Sequence, residues 1–160
     1  MRPTVQFLFA HPAHFIALGL GSGLSPKAPG TAGTLAAWLL FPVLHAPLGD
    51  AAFLVFLLTA FVFGIVAADR TGRALGVSDH GAIVWDEMVP FWLVLLFTPD
   101  TLAWQLAAFV LFRLFDIVKP QPIKWADSKV KGGFGVMLDD VIAAGYTLLV
   151  LAIAARLLDH

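Results

Sequence analysis

Two acidic pairs carry the chemistry this sequence can offer. Asp86-Glu87 follows Ile83-Val84-Trp85 and precedes Met88-Val89; Asp139-Asp140 follows Val136-Met137-Leu138 and precedes Val141-Ile142. Each pair is thus set between three apolar residues and two, near the start of a long apolar run. A charge in the middle of a membrane helix costs at least ~2.5–3.5 kcal/mol unless it is paired, solvated or bound to a cation. A place in the first turn reduces that cost, because a helix N-terminus favours negative charge by ~0.3–1 kcal/mol. Adjacent residues point about 100° apart on a helix, so the members of each pair are expected to differ in role, with one from each helix facing a shared ion. Oxygen ligands in a chain without cysteine suit a hard cation such as Mg²⁺. The plainer alternative is that both pairs are solvated helix caps.

The second pair closes the stretch Phe112 to Asp140, which holds four of the eleven acidic and five of the ten basic residues. Lys119 and Lys131, each beside a proline or glycine turn, are candidates for contact with a substrate phosphate. Arg113 and Asp116 stand at i and i+3, the spacing of an ordinary helical ion pair. A second polar stretch, residues 21–33, holds four glycines and two prolines. It is either a plain linker or a cradle in which backbone N–H groups and the start of the next helix meet an anion, with Ser25, Lys27 and Thr31 adding hydrogen bonds. It lacks the phosphate-loop pattern of nucleotide-binding proteins, and no nucleic-acid partner is expected. His80 is a general acid, a ligand or a polar loop residue; His11, His14, His45 and His160 look incidental.

The elements that must position these groups are helices in a membrane. Apolar residues make up 59% of the 160 and charged ones 13%, against roughly 45–50% and 25% in soluble domains. One all-α domain over residues 1–160 is expected, an integral membrane bundle of four to five spans. The candidate spans are 35–48, 51–68, 83–97, 102–115 and 136–158. Residues 4–20, broken near Pro12, read as an interfacial or re-entrant helix, and Thr34 as the N-cap of the first span. Lys27, Arg70, Arg73, Arg113, Lys119, Lys124, Lys129 and Lys131 fall in or beside connections on one side, which places that side and the acidic pairs in the cytoplasm. A soluble helical domain would not explain the alternation of bare and basic turns.

Three segments, GSGLSPKAPGTAGTLAA (21–37), SDHGAIVWDE (78–87) and FRLFDIVKPQPIKWADSKVKGGFGVMLDDVIAAG (112–145), resemble the phosphatidylglycerophosphatase A family of bacterial membrane lipid phosphatases. The resemblance implies Mg²⁺-dependent removal of the terminal phosphate of phosphatidylglycerophosphate, an anionic phospholipid substrate held in the bacterial cytoplasmic (inner) membrane, with the site on the cytoplasmic face. Family-like positions are Asp79, His80, Asp86, Glu87, Asp116, Lys119, Asp127, Lys131, Asp139 and Asp140; Gly81 departs from an expected proline. On this basis Asp86, Glu87, Asp139 and Asp140 are expected to hold metal and water, Asp116 to be a further ligand or to orient one, and Lys27, Lys119 and Lys131 to contact phosphate. Competing readings are a phosphohydrolase acting on a polyprenyl pyrophosphate and a small ion-binding transporter. Assembly as a homo-oligomer is left open.

Overall fold

The computed structural model describes residues 2–158, so His160 lies outside the described residues. Among these residues every regular element is helical. The chain opens with two six-residue helices, α1 (Val5–Ala10) and α2 (Pro12–Ala17). Thr4 caps the first by accepting a hydrogen bond from the Phe7 N–H at 3.2 Å. His11, in extended conformation, ends α1 and caps α2, while Pro12 occupies a first-turn position where its missing N–H costs nothing. The break expected near Pro12 is therefore there, and each piece is too short to cross a bilayer. His14 pins α2 to the bundle: it is buried, its Nδ1 lies 2.9 Å from the Thr71 hydroxyl, and its ring stacks on Phe7 at 4.2 Å. It is a packing residue rather than an incidental one.

A 3₁₀ segment, Gly19–Leu24, leads to α3 (Pro29–Leu75). This helix begins five residues before Thr34, the expected cap. Ala28 turns the chain through a left-handed conformation and Pro29 starts the helix; Thr34 is buried inside it and donates its hydroxyl to the Gly30 carbonyl at 2.9 Å. At Gly49 (φ 68°, ψ 173°) the helical path breaks, a backbone conformation that suits glycine. The two limbs fold back on each other. Phe41 and Phe53 would lie about 18 Å apart along a straight helix, yet their rings meet edge-on at 5.5 Å, and His45 Nε2 is 2.8 Å from Asp50 Oδ1.

Helix α4 (Trp85–Leu96) packs against both limbs through two indoles on one face. Trp92 donates to the Ala37 carbonyl at 2.8 Å and Trp85 to that of Ala60 at 3.0 Å. Helix α5 (Leu102–Val118) is capped by Thr101, and Phe112 packs on Phe91. A short α6 (Ile123–Lys129) follows Pro122. Helix α7 (Gly132–Leu158) closes the bundle, with Gly133 so close to the Ile65 carbonyl that any Cβ would collide with it.

Helices α3 and α7 are long and apolar enough to cross a membrane, with mean hydropathy of 2.6 and 2.1 over their most apolar stretches. Those stretches are only 33% and 22% buried within the protein. Leu39, Val43, Val55, Leu58, Val62 and Phe63 all point outward. At 12 and 17 residues, α4 and α5 are about 18 and 26 Å long, short of a ~30 Å hydrocarbon core without their flanks.

Candidate active site

The start of α4 and the second turn of α7 meet beside one point of α3. A Cβ on Gly64 would meet Trp85 at 2.7 Å and Met137 at 2.9 Å, so the residues just ahead of the two acidic pairs flank a single point on α3. Asp86, Glu87, Asp139 and Asp140 are all buried, at 7, 9, 5 and 2% exposure. The charge of Asp140 interacts with those of Asp116, Asp86 and Glu87.

The pairs differ in how they sit on their helices. Asp86 and Glu87 occupy the first turn of α4. Asp139 and Asp140 do not occupy the first turn of α7, because that helix starts at Gly132 rather than Val136. Gly132 takes a left-handed φ of 76°, and Gly133 and Gly135 lie against the backbone of Ile65 and Val130. The glycines that seemed to belong to a loop are helix, and they carry the acids two turns in, beyond much of the help of the helix end.

Each pair has one paired and one bare member. On α4, Glu87 Oε1 accepts a hydrogen bond from Arg113 at 3.0 Å, and Arg113 also reaches Asp116 Oδ2 at 2.8 Å and Thr34 Oγ1 at 3.4 Å. On α7, Asp139 Oδ2 accepts from Lys119 Nζ at 2.5 Å and Oδ1 accepts from the Asp140 N–H at 3.1 Å. Lys119 Nζ also binds Asp127 Oδ1 at 2.9 Å. Partial burial disfavours the Lys119 ammonium, but its hydrogen bonds to Asp139 and Asp127 outweigh that and raise its pKa above the usual lysine value. Three buried carboxylate oxygens have no partner: Asp86 Oδ1, Glu87 Oε2 and Asp140 Oδ1. An unpaired buried carboxylate is costly, and these are the atoms free to take a cation. Among the described residues, however, no three His, Asp or Glu side chains converge tightly enough to hold a metal ion as they stand. Arg113 occupies Glu87 Oε1 and Asp116 Oδ2, and Lys119 occupies Asp139 Oδ2.

The other expected residues lie around this centre. Lys131 is exposed, donates to the Asp127 carbonyl at 3.2 Å, and lines a 210 Å³ cavity with Ser78, Asp79, Asp127 and Gly132. Ser25 and His80 share a second cavity of 300 Å³ beside Pro29. There the Ser25 hydroxyl closes its own turn onto the Lys27 carbonyl at 2.8 Å, and His80 Nδ1 accepts from the Ala82 N–H at 3.1 Å. Lys27 is exposed, and Thr31 sits in the first turn of α3. Gly81 has open space around it, so the residue that departs from the expected proline crowds nothing. A larger apolar cavity of 730 Å³ opens at the far ends of α4 and α5, away from every carboxylate of the cluster.

A family model, Phosphatidylglycerophosphatase A, matches residues 15–155. The chain belongs to the phosphatidylglycerophosphatase A family. It is accordingly a phosphatase. Phosphatidylglycerophosphatase A of Haemophilus influenzae is 46% identical over 151 residues, 93% of this chain and 92% of the relative. The Escherichia coli protein of that name is 41% identical over 138 residues, 84% and 78% of the two chains. A Bacteroides thetaiotaomicron protein, provisionally named a phosphatidylinositol-3-phosphatase, is 44% identical over 146 residues, 87% and 91%. No solved structure matches the chain.

For this phosphatidylglycerophosphatase A family member, sequence reasoning missed the reach of Arg113. The i, i+3 pair with Asp116 is present, but the same guanidinium crosses to α4 and α3. The pairing of Lys119 with Asp139 was also missed, since no fixed spacing signals it. Pro29 following an alanine was the available signal for the true start of α3.

Proposed function

We propose that the chain hydrolyses the terminal phosphomonoester of phosphatidylglycerophosphate, giving phosphatidylglycerol and phosphate, with Mg²⁺ as cofactor. The observation that carries this reading is the set of unpartnered buried oxygens on Asp86, Glu87 and Asp140 in a member of this family. Their number, hardness and charge fit a divalent cation that takes few carboxylates and keeps several waters. A bound Mg²⁺ supplies charge stabilisation at the phosphoryl oxygens and makes water more acidic.

The chain's own groups do the rest. Asp86, Glu87 and Asp140 hold the cation. Asp139 and Asp116 are oriented by Lys119 and Arg113, in supporting rather than direct ligand positions. Lys119 and Lys131 lie within the same end of the bundle as the carboxylates and offer cationic donors to the departing phosphate. The uncapped N–H groups at the start of α3, with Thr31, Lys27 and Ser25, border the site on the Glu87 side. His80, on the loop leading into α4, is the titratable group assigned to serve the leaving glycerol oxygen. The cation-bearing end faces the cytoplasm by the distribution of basic residues, in the bacterial cytoplasmic membrane. The two limbs of α3, α4 and α5 with their flanks, and α7 cross the bilayer. Outward apolar side chains on α3 leave the acyl chains in lipid while the headgroup reaches the carboxylates.

The Bacteroides relative favours one second reading, a different phosphorylated lipid headgroup at the same site. The test is phosphate release by detergent-purified protein from phosphatidylglycerophosphate, phosphatidylinositol 3-phosphate and a polyprenyl pyrophosphate, each with Mg²⁺ and then with chelator. Release from the first that stops with chelator is the expected result. Preference for either of the others overturns the substrate, and release that survives chelator overturns the cofactor.

A further inference from the structure

We propose that Arg113 is the positioning residue of the carboxylate site, holding Glu87 and Asp116 so that the second oxygen of Glu87 stays turned out, unpaired, as a cation ligand. The inference rests on the metal-dependent reading above and deepens it. By sequence, Arg113 is half of a helical pair of the kind worth little on a surface. In the fold it is mostly buried, its side chain 13% exposed, and it joins three helices: Thr34 on α3, Glu87 on α4 and Asp116 on α5. One cation therefore takes one oxygen from each of two buried acids. All three contacts run from one nitrogen, Nη1, whose two N–H groups are fixed in the guanidinium plane, whereas the N–H groups of an ammonium turn freely at the end of a flexible stem.

The surroundings are built for this clamp. Gly30, in the first turn of α3, lies flat against it: any Cβ there would collide with Glu87 Oε1 and stand 2.9 Å from Arg113 Nη2. The Glu87 oxygen that Arg113 does not hold is one of the three buried oxygens without a partner. With Arg113 in place, Glu87 is divided into one oxygen that is fixed and one that is available. Without it, Glu87 and Asp116 repel each other and turn away, and the ligand set loses a member although no ligand has been removed.

Wild type, Arg113→Lys and Gly30→Ala are purified in detergent. Mn²⁺ affinity is measured by electron paramagnetic resonance without lipid, alongside the Mg²⁺ concentration for half-maximal phosphate release, KM for lipid and thermal unfolding. Groups that orient metal ligands typically alter metal affinity by about ten- to a hundredfold, and a loss of that size is expected in both variants. A matching rise in the Mg²⁺ requirement is expected, with KM changed by less than about threefold and cooperative unfolding retained. Gly30→Ala removes no charge, so a Mn²⁺ loss there reports geometry; if Arg113→Lys does not fold, Gly30→Ala decides on the same criterion. Wild-type Mn²⁺ affinity in a folded variant overturns the role of Arg113 and leaves the phosphatase reading standing. A wild type that binds no Mn²⁺ and releases phosphate without metal overturns both.

Discussion

The acidic pairs of α4 and α7 look alike in sequence and are held in different ways. Glu87 is gripped by Arg113, a mostly buried guanidinium rising from within α5 whose Nη1 is tied to three helices. Asp139 is held by Lys119, a more exposed ammonium just past the end of α5. Lys119 takes a left-handed conformation (φ 48°, ψ 61°), which for a residue with a side chain costs of order 1 kcal/mol or more. Its second partner, Asp127, belongs to the short α6. The first arrangement is rigid by construction. The second is one cation shared between a buried acid and a surface helix, able to exchange a carboxylate for another anion without moving a helix. On the proposed reading, Glu87 holds the cation together with the bare Asp86 and Asp140, and Lys119 meets the phosphate.

The largest effect should come from the bare members, which stand in equivalent places in that comparison. Asp86→Asn and Asp140→Asn are each expected to lower phosphate release by at least about a hundredfold, the scale of losing one preorganised charge-stabilising group, with helical content by circular dichroism unchanged. If one variant alone is inactive, the two sides are less equivalent than their burial implies. Next, Lys119→Met should reduce kcat/KM by roughly ten- to a hundredfold and raise KM, while Lys119→Gly should be as inactive yet more stable than Lys119→Met by about 1 kcal/mol, since glycine removes the left-handed strain. Thermal melts and steady-state kinetics on the same preparations separate these contributions; an unchanged KM would remove Lys119 from the phosphate.

Gly64→Ala tests both pairs together. The added methyl would press on Trp85 and Met137 and spread the starts of α4 and α7; overpacking of this kind typically costs about 1–3 kcal/mol, read as a lower melting temperature with a several-fold loss of activity. The smallest change is expected from Thr34→Val. It removes a long 3.4 Å contact to Arg113 and a hydroxyl bonded within its own helix, so stability should fall by no more than about 1 kcal/mol and the Mg²⁺ requirement should stay near that of wild type. A large rise in that requirement would show that the clamp on Glu87 depends on α3 more than on Asp116.

Composition and hydropathy were enough to read an all-helical chain, the order of its apolar segments and the break at Pro12. These follow from local rules: helical period, proline geometry and the cost of charge in an apolar run. Local rules also explain where the reading failed. Residues 29–34 and 132–135 are rich in glycine, which reads as loop, yet in the fold they are helix; Gly30, Gly33, Gly133 and Gly135 sit where a neighbouring backbone or side chain leaves no room for a Cβ, and Gly132 takes a left-handed φ. That reason exists only after the helices have packed. The sequence by itself determined that carboxylates would stand in apolar helices and that they would need a counter-charge. Only the tertiary structure decided which cation serves which acid, because Arg113 and Lys119 meet Glu87 and Asp139 across 26 and 20 residues, and contacts between helices leave no periodic trace in a single chain.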